Sequence, residues 1–283
     1  MTAARRIDAH HHLWDLSVRA QDWLDAPELT PLRRDFTIDE LRPQAAAAGI
    51  GATVAVQTVC LAEETPELLA LADTDPLVAG VVGWTDLTAP DVADRLAALR
   101  ELPGGRRLVG IRHQVQNEPD PRWLLRPEVQ RGLHAVGAAG LAYDLIVRPH
   151  QLPASVAAAA AVPGLTFVLD HLGKPPIAAR RIDRWQRDVR LLAALPNTTA
   201  KISGLTTEAD WRTWHADDLR PCVETALEAF GPDRLMFGSD WPVSTLAGDY
   251  RRTADAVTGL LSALAGHERD AVLGATAARV YGI

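Results

Sequence analysis

Short apolar, β-branched runs alternate along this chain with longer Ala- and Leu-rich stretches of helical period. Eight of the short runs predict strands: Arg6–Leu13, Thr53–Val59, Val78–Trp84, Leu108–Val115, Tyr143–Val147, Thr166–His171, Thr199–Ser203 and Leu235–Asp240. Several are almost wholly apolar until a polar end, as in "TFVLDH" and "LMFGSD", the pattern of parallel strands covered on both faces. Helix signals fill the connections. "TIDE" predicts a capping box, with Thr37 accepting from a backbone N–H and Glu40 reaching back, on a helix that ends near Gly49. "TPELLALA" places Pro66 at a first helical position after Thr65. "QNEPDPRW" (116–123) reads as a loop, and no low-complexity linker or fixed-period repeat interrupts the series. Eight strands alternating with helices predict an α/β fold, a (β/α)8 TIM barrel forming a single domain over 1–283. An open doubly wound sheet is the alternative, since alternation does not fix closure.

Composition narrows the class. The chain has 283 residues, 47% of them hydrophobic, enough for one barrel of the usual ~250 residues. A formal net charge of −7 argues against a nucleic-acid or anionic-membrane surface. The two cysteines, Cys60 and Cys222, are far apart and show no metal-like spacing, which favours a reducing compartment. The opening "MTAARRIDAHHH" lacks the apolar stretch of a signal peptide, and "ASVAAAAAV" (154–162) is too short to span a bilayer. The expectation is a cytoplasmic protein acting on a small molecule; the sequence is silent on oligomeric state.

In a barrel of this kind the active site lies at the carboxyl ends of the strands. The first strand ends "IDAHHHLWD". Alternation puts Asp8, His10 and His12 on one face and His11 on the other, so His10 and His12 can share a metal or a polarised carbonyl. The remaining strand ends bring Trp84, Arg112 with His113, Asp170 with His171 and Lys174, Lys201 with Ser203, and Asp240 with Trp241. Plainer readings stand beside these. His171 would be a buried imidazole bonded to a carbonyl, Asp240 a helix cap, and Lys201 an ion-pair partner of a carboxylate such as Asp8. Arg112 would be structural, His113 and His150 ordinary loop histidines, and Trp14, Trp84 and Trp241 wall residues. His134, His215 and His267 read as surface or packing residues.

Taken together, "DAHHHLWD", "GWTDL", "GIRHQVQ", "DLIVRPHQLP", "FVLDHLGKP", "AKISGL" and "LMFGSDWPV" resemble the amidohydrolase superfamily. The nearest branch is the amidohydrolase-2 type, with its L-fuconolactonase-like sugar lactonases and its dicarboxylate lactonases. The similarity runs from about residue 6 to "ATAARVYGI". The resemblance implies a (β/α)8 barrel that adds water to a lactone carbonyl. It matches His10 and His12 to the first-strand pair, His171 to the sixth-strand histidine and Asp240 to the eighth-strand aspartate, which in the superfamily surround one or two divalent metals. Strand four here ends Arg112-His113 with no lysine to bridge two metals, and strand five holds no histidine before His150. One divalent ion such as Zn²⁺ at most, or none, is what these residues permit.

Lactone hydrolysis needs a water, a base and donors for the oxyanion. Asp240 is the expected base, its weak basicity raised by an apolar neighbour such as Trp241. His10, His12 and His171 would either hold the carbonyl directly or, with Asp240, ligate the ion. Trp14, Trp84, Arg112, His113, His150, Lys201 and Trp241 are the expected substrate contacts, suited to a hydroxyl-rich ring. A metal-dependent decarboxylase, a lactone isomerase and a non-catalytic sugar-acid-binding barrel are the alternatives.

Overall fold

The computed structural model describes residues 5–283; positions 1–4, which belong to the expected domain and to the leader reading, lie outside the described residues. Eight parallel strands lie side by side in chain order: β1 (Arg6–His11), β2 (Ile50–Val56), β3 (Val78–Gly83), β4 (Leu108–His113), β5 (Ala142–Leu145), β6 (Phe167–Leu169), β7 (Thr198–Ile202) and β8 (Leu235–Phe237). The backbone N–H of Asp240 donates to the His10 carbonyl (2.8 Å), and that of His12 donates to the Trp241 carbonyl (2.7 Å). These bonds sew β1 to the segment after β8, so the sheet is a barrel and not an open one. Helices α1 (Ile38–Ala47), α2 (Glu64–Thr74), α3 (Val92–Glu101), α4 (Pro127–Ala138), α5 (Leu152–Ala161) and α6 (Asp183–Ala193) alternate with the strands. After β7 come α7 (Leu205–Glu208) and α8 (Ala216–Phe230); after β8 come α9 (Tyr250–Leu260), α10 (Gly266–Asp270) and α11 (Thr276–Tyr281).

Alternation along each strand feeds two cores. Ile7, Ala9, Val54, Val56, Val168 and Met236 fill the barrel interior, where Tyr281 of α11 joins them. Ala55, Phe167, Leu169 and Ile202 belong to the other, shared with Leu69, Val129, Leu192 and Val257 of the helices. Both faces of the strands are therefore apolar, which is why the runs read as continuous.

The strands stop short of the expected carboxyl ends, because the polar residues there leave the ladder and turn into the barrel mouth. At its other end β2 starts at Ile50, three positions early, where Gly51 breaks the apolar run. The capping box does not form: the Thr37 side chain makes no cap bond, and Glu40 instead pairs with Arg34 at 2.8 Å. Pro66 lies at the third position of α2 and not the first. Among the described residues no helix is long and apolar enough to cross a membrane.

Candidate active site

His10 lies near the end of β1 and His12 just beyond it, His171 and Asp240 follow β6 and β8, and all four are buried. Nε2 of His10 lies 3.2 Å from Nε2 of His12. Oδ1 of Asp240 is 3.8 Å from Nε2 of His10, 3.6 Å from that of His12 and 3.9 Å from that of His171. The second nitrogen of each ring is engaged from behind. Nδ1 of His12 faces the Val56 carbonyl (2.8 Å), Nδ1 of His171 the Ser203 hydroxyl (2.9 Å), and Nδ1 of His10 the Asp170 carboxylate (3.2 Å). Rings held at Nδ1 with Nε2 aimed inward are the arrangement of a metal site with its supporting shell. The residues present thus fit one divalent ion, which His10, His12 and Asp240 could hold together, with His171 beside them.

The backbone pays for this convergence. His171 (φ 53°) and Asp240 (φ 56°) both occupy the left-handed region, which costs a non-glycine residue of order 1–3 kcal/mol and persists only where surroundings enforce it. Gly204, itself at φ +60°, leaves room for them: a Cβ there would lie 2.5 Å from Nδ1 of His171 and 3.0 Å from Oδ2 of Asp240. A Gly204→Ala variant is expected to lose roughly tenfold in turnover, because displaced reacting groups lose their alignment. Unchanged steady-state rates in that variant would show that the close approach is irrelevant.

Burial fixes the charges. It lowers the His10 imidazole well below its usual range, with Lys201 adding to the effect and Asp170 opposing it. It brings His171 down to about 4 against the attraction of Asp240 and Asp170, so this ring is neutral at pH 7. For Asp240 burial works upward, but His171, His12 and His10 outweigh it and hold the carboxyl below the ordinary carboxylate range. The expected upward shift from Trp241 is therefore reversed.

His11 points away from this cluster, with Nε2 3.0 Å from the Thr53 hydroxyl. His11→Ala is expected to keep most activity, while His10→Ala and His12→Ala lose nearly all; equal losses in a rate assay would contradict the separation. Asp8 departs from the alternation. The β1–β2 register shifts between Asp8 and His11, one extra residue in β1, and Asp8 turns outward to accept from the Tyr250 hydroxyl (2.9 Å) and the Ser239 N–H (2.8 Å). It thereby ties β1 to the end of β8 and to α9.

The expected substrate contacts divide. Arg112 reaches the mouth cavity, of about 660 Å³, and is held by Asp170 (3.0 Å) and Gln57 (3.1 Å). The structure places the others elsewhere. Lys201 is completely buried beneath His10 and pairs with Asp144 (2.5 Å) and Asp170 (3.0 Å), not with Asp8. Trp84 donates to Nδ1 of His113 (3.1 Å), and His113 stacks on Trp123 and bonds Glu118, so both are spent in a wall outside the cavity lining. Trp14 packs on Trp23 and Phe36, Trp241 packs on Phe36, and His150 is exposed outside the lining. The aromatic faces at the cavity belong instead to Trp23 and Trp211, joined by Gln114, Arg148, Lys174 and Glu208. Trp23 and Trp211 sit in connections, where reading strand ends could not find them. Asp144 carried a signal that went unread: a carboxylate inside the apolar run "AYDLIV" needs an interior cation. Neither plainer reading of these two residues holds, since His171 meets a hydroxyl and Asp240 uses its carbonyl, not its side chain, to accept from Ser244. His134, His215 and His267 are exposed.

Comparison with known proteins places this geometry. The L-fucono-1,5-lactonase of Burkholderia multivorans is 43% identical over 99% of this chain and 97% of its own length. That of Burkholderia ambifaria is 41% identical over 87% of this chain and 83% of its own. A crystal structure of an amidohydrolase from Burkholderia multivorans with bound zinc matches at a TM-score of 0.93 and 42% identity, covering 99% of this chain and all of that one. A family model described as Amidohydrolase matches residues 7–283. The chain belongs to the amidohydrolase family.

Proposed function

We propose that this protein is a lactonase that opens a sugar lactone of the L-fucono-1,5-lactone kind by adding water to the ring ester. One observation carries the reading: a carboxylate oxygen and three ring nitrogens meet at the floor of a cavity large enough for a sugar ring. The two relatives above 40% identity named as L-fucono-1,5-lactonases support it. The cavity wall favours a neutral polyol over a dicarboxylate. Lys174 already faces Glu208 at 3.8 Å and Arg112 bonds Asp170 at 3.0 Å, so among the described residues Arg148 is the one lining cation without a carboxylate partner, a single positive charge for the two of a dianionic ring. Trp23 and Trp211 offer faces to C–H surfaces, and Gln114, Arg148 and Glu208 offer hydrogen bonds to hydroxyls.

His10, His12, His171 and Asp240 would hold one divalent ion. Such an ion, zinc being the one seen in the solved relative, would polarise a carbonyl and acidify water. The chain's own groups account for the rest. Oδ1 of Asp240 is committed to the histidines, which leaves Oδ2, beside Gly204, to take the proton of the attacking water. The same carboxyl then returns that proton to the ring oxygen as the ester C–O bond breaks, giving the free hydroxy acid. Arg112 sets one edge of the cavity and turns its positive charge toward the negative charge that develops on the carbonyl oxygen.

The test is acid release, followed with a pH indicator, from five- and six-membered aldonolactones, using metal-stripped and zinc-supplemented protein. Hydrolysis of the six-membered L-fuconate lactone is expected. Carbon dioxide from aromatic acids, or ring migration without acid, would replace this reading with the decarboxylase or the isomerase. Because His171 is neutral until about pH 4, kcat/KM is expected to hold through mildly acidic pH and fall as the pH passes through about 4. An acid limb near 6.5, where an ordinary imidazole titrates, would count against a role for the neutral ring.

A further inference from the structure

Beneath the reacting groups lies a buried charge cluster of which the proposed hydrolysis uses only the Arg112 charge. Asp144 of β5, Lys201 of β7 and Asp170 after β6 are completely buried, and Arg112 of β4 nearly so. Lys201 has three N–H donors and no acceptor. Around its Nζ stand three partners: Oδ2 of Asp144 at 2.5 Å, Oδ1 of Asp170 at 3.0 Å and Nδ1 of His10 at 3.2 Å. Asp170 has a second cation on its other oxygen, Nη1 of Arg112 at 3.0 Å. Nδ1 of His10 therefore has two neighbours of opposite demand: the Lys201 ammonium, which needs a lone pair there, and Asp170, which needs a proton.

The far side of the ring decides between them. Nδ1 of His12 must donate to the Val56 carbonyl at 2.8 Å, so Nε2 of a neutral His12 is bare. Nε2 of His10, 3.2 Å away, satisfies it only as N–H. That places the His10 proton on Nε2, leaves Nδ1 bare and gives the third N–H of Lys201 its acceptor. Arg112 approaches Nε2 of His10 only at 3.4 Å, and its strong bond is to Asp170. A divalent ion reverses the demand, because His10 must then offer the lone pair of Nε2. Its proton moves to Nδ1, where Oδ1 of Asp170 accepts it, and Lys201 keeps its two carboxylates. The ring stays neutral in both arrangements, and no proton is gained or lost.

We propose that Lys201 and Asp170 together form a two-way support for His10, which lets the same four side chains close either as a hydrogen-bonded, metal-free site or as a metal-ligating one by exchanging the His10 tautomer. Lys201 is a positioning residue in this scheme and touches neither substrate nor ion. The proposal rests on the reading of these four side chains as the reacting site, but its test does not require turnover.

Long-range ¹H–¹⁵N spectra of the labelled full-length protein read the tautomer directly, with the His10 signals identified by their loss in His10→Asn. The expected result is a protonated Nε2 in chelator-treated protein and a protonated Nδ1 after one equivalent of zinc. A proton on Nδ1 in both states would overturn the proposal and leave Lys201 a plain counter-charge. A charge-balanced double variant, Lys201→Met with Asp144→Asn, removes the donor to Nδ1. It is expected to show Nδ1–H before zinc is added and to bind zinc about tenfold more tightly, since the competent tautomer is already populated. An unchanged zinc Kd in the folded double variant would also overturn it. If that variant does not fold, the spectra of the unaltered protein decide alone. Absence of lactone turnover would remove the proposed function and leave these spectra as decisive as before.

Discussion

Asp240→Asn is expected to lower kcat on the preferred lactone by ~10²-fold or more, with ligand affinity changed far less, because a general base is worth 10²–10⁴-fold. The amide keeps the shape of the carboxylate, so the left-handed backbone at this position (φ 56°) is retained, and asparagine tolerates that region well. Two things are lost. The proton acceptor at Oδ2 goes, and the negative charge around which the three imidazoles gather goes with it. Binding of the polyol ring draws mainly on the cavity wall, which the substitution leaves alone. Steady-state kinetics together with the affinity of the product acid separate the two effects. A variant with most of its kcat would remove Asp240 from the chemistry; one with normal kcat and poor affinity would recast it as a substrate contact.

The second large effect concerns folding. Lys201→Met leaves Asp144 and Asp170 buried in the barrel without the ammonium that lies between them. Burial raises Asp144 to about 6, so it is still ionised at pH 7, while Lys201, His10 and Arg112 outweigh burial and hold Asp170 well below the usual range. Removing one partner of such a cluster costs about 3–5 kcal/mol, since the remaining charges are left uncompensated. In a barrel of this size the expected fall in Tm is roughly 10 °C. Scanning calorimetry of Lys201→Met beside the charge-balanced double variant checks the cause. The double variant is expected to recover much of the loss; equal losses in both would point to packing around the lysine stem and away from charge.

Much of the fold was legible because a parallel barrel writes itself as apolar runs, and each run found in the chain is a strand. Closure was not legible, since it depends on backbone bonds between His10 and Asp240 and between His12 and Trp241 that no periodicity encodes. The clustering of His10, His12, His171 and Asp240 could be read because barrel topology gathers strand ends at one mouth. The same rule misled at Trp84, His113 and Lys201: lying near a strand end fixes height along the barrel but not direction, and these three turn into the wall or the interior. Strict alternation failed at Asp8 because one extra residue in β1 flips the facing of everything before it. The cavity's tryptophans come from connections whose path is set by packing, and nothing local to Trp23 or Trp211 announces it.

The seam between β1 and the segment after β8 also orders events during synthesis. His10 is made early, but the backbone that pairs with it and the carboxylate that faces it arrive about 230 residues later. At roughly 5–20 residues per second a ribosome needs on the order of ten to fifty seconds to bridge that gap. For that interval the nascent chain displays β1 as an unpaired edge, with His10 and His11 in the strand and His12 just beyond it, open to stray strands and to free metal alike.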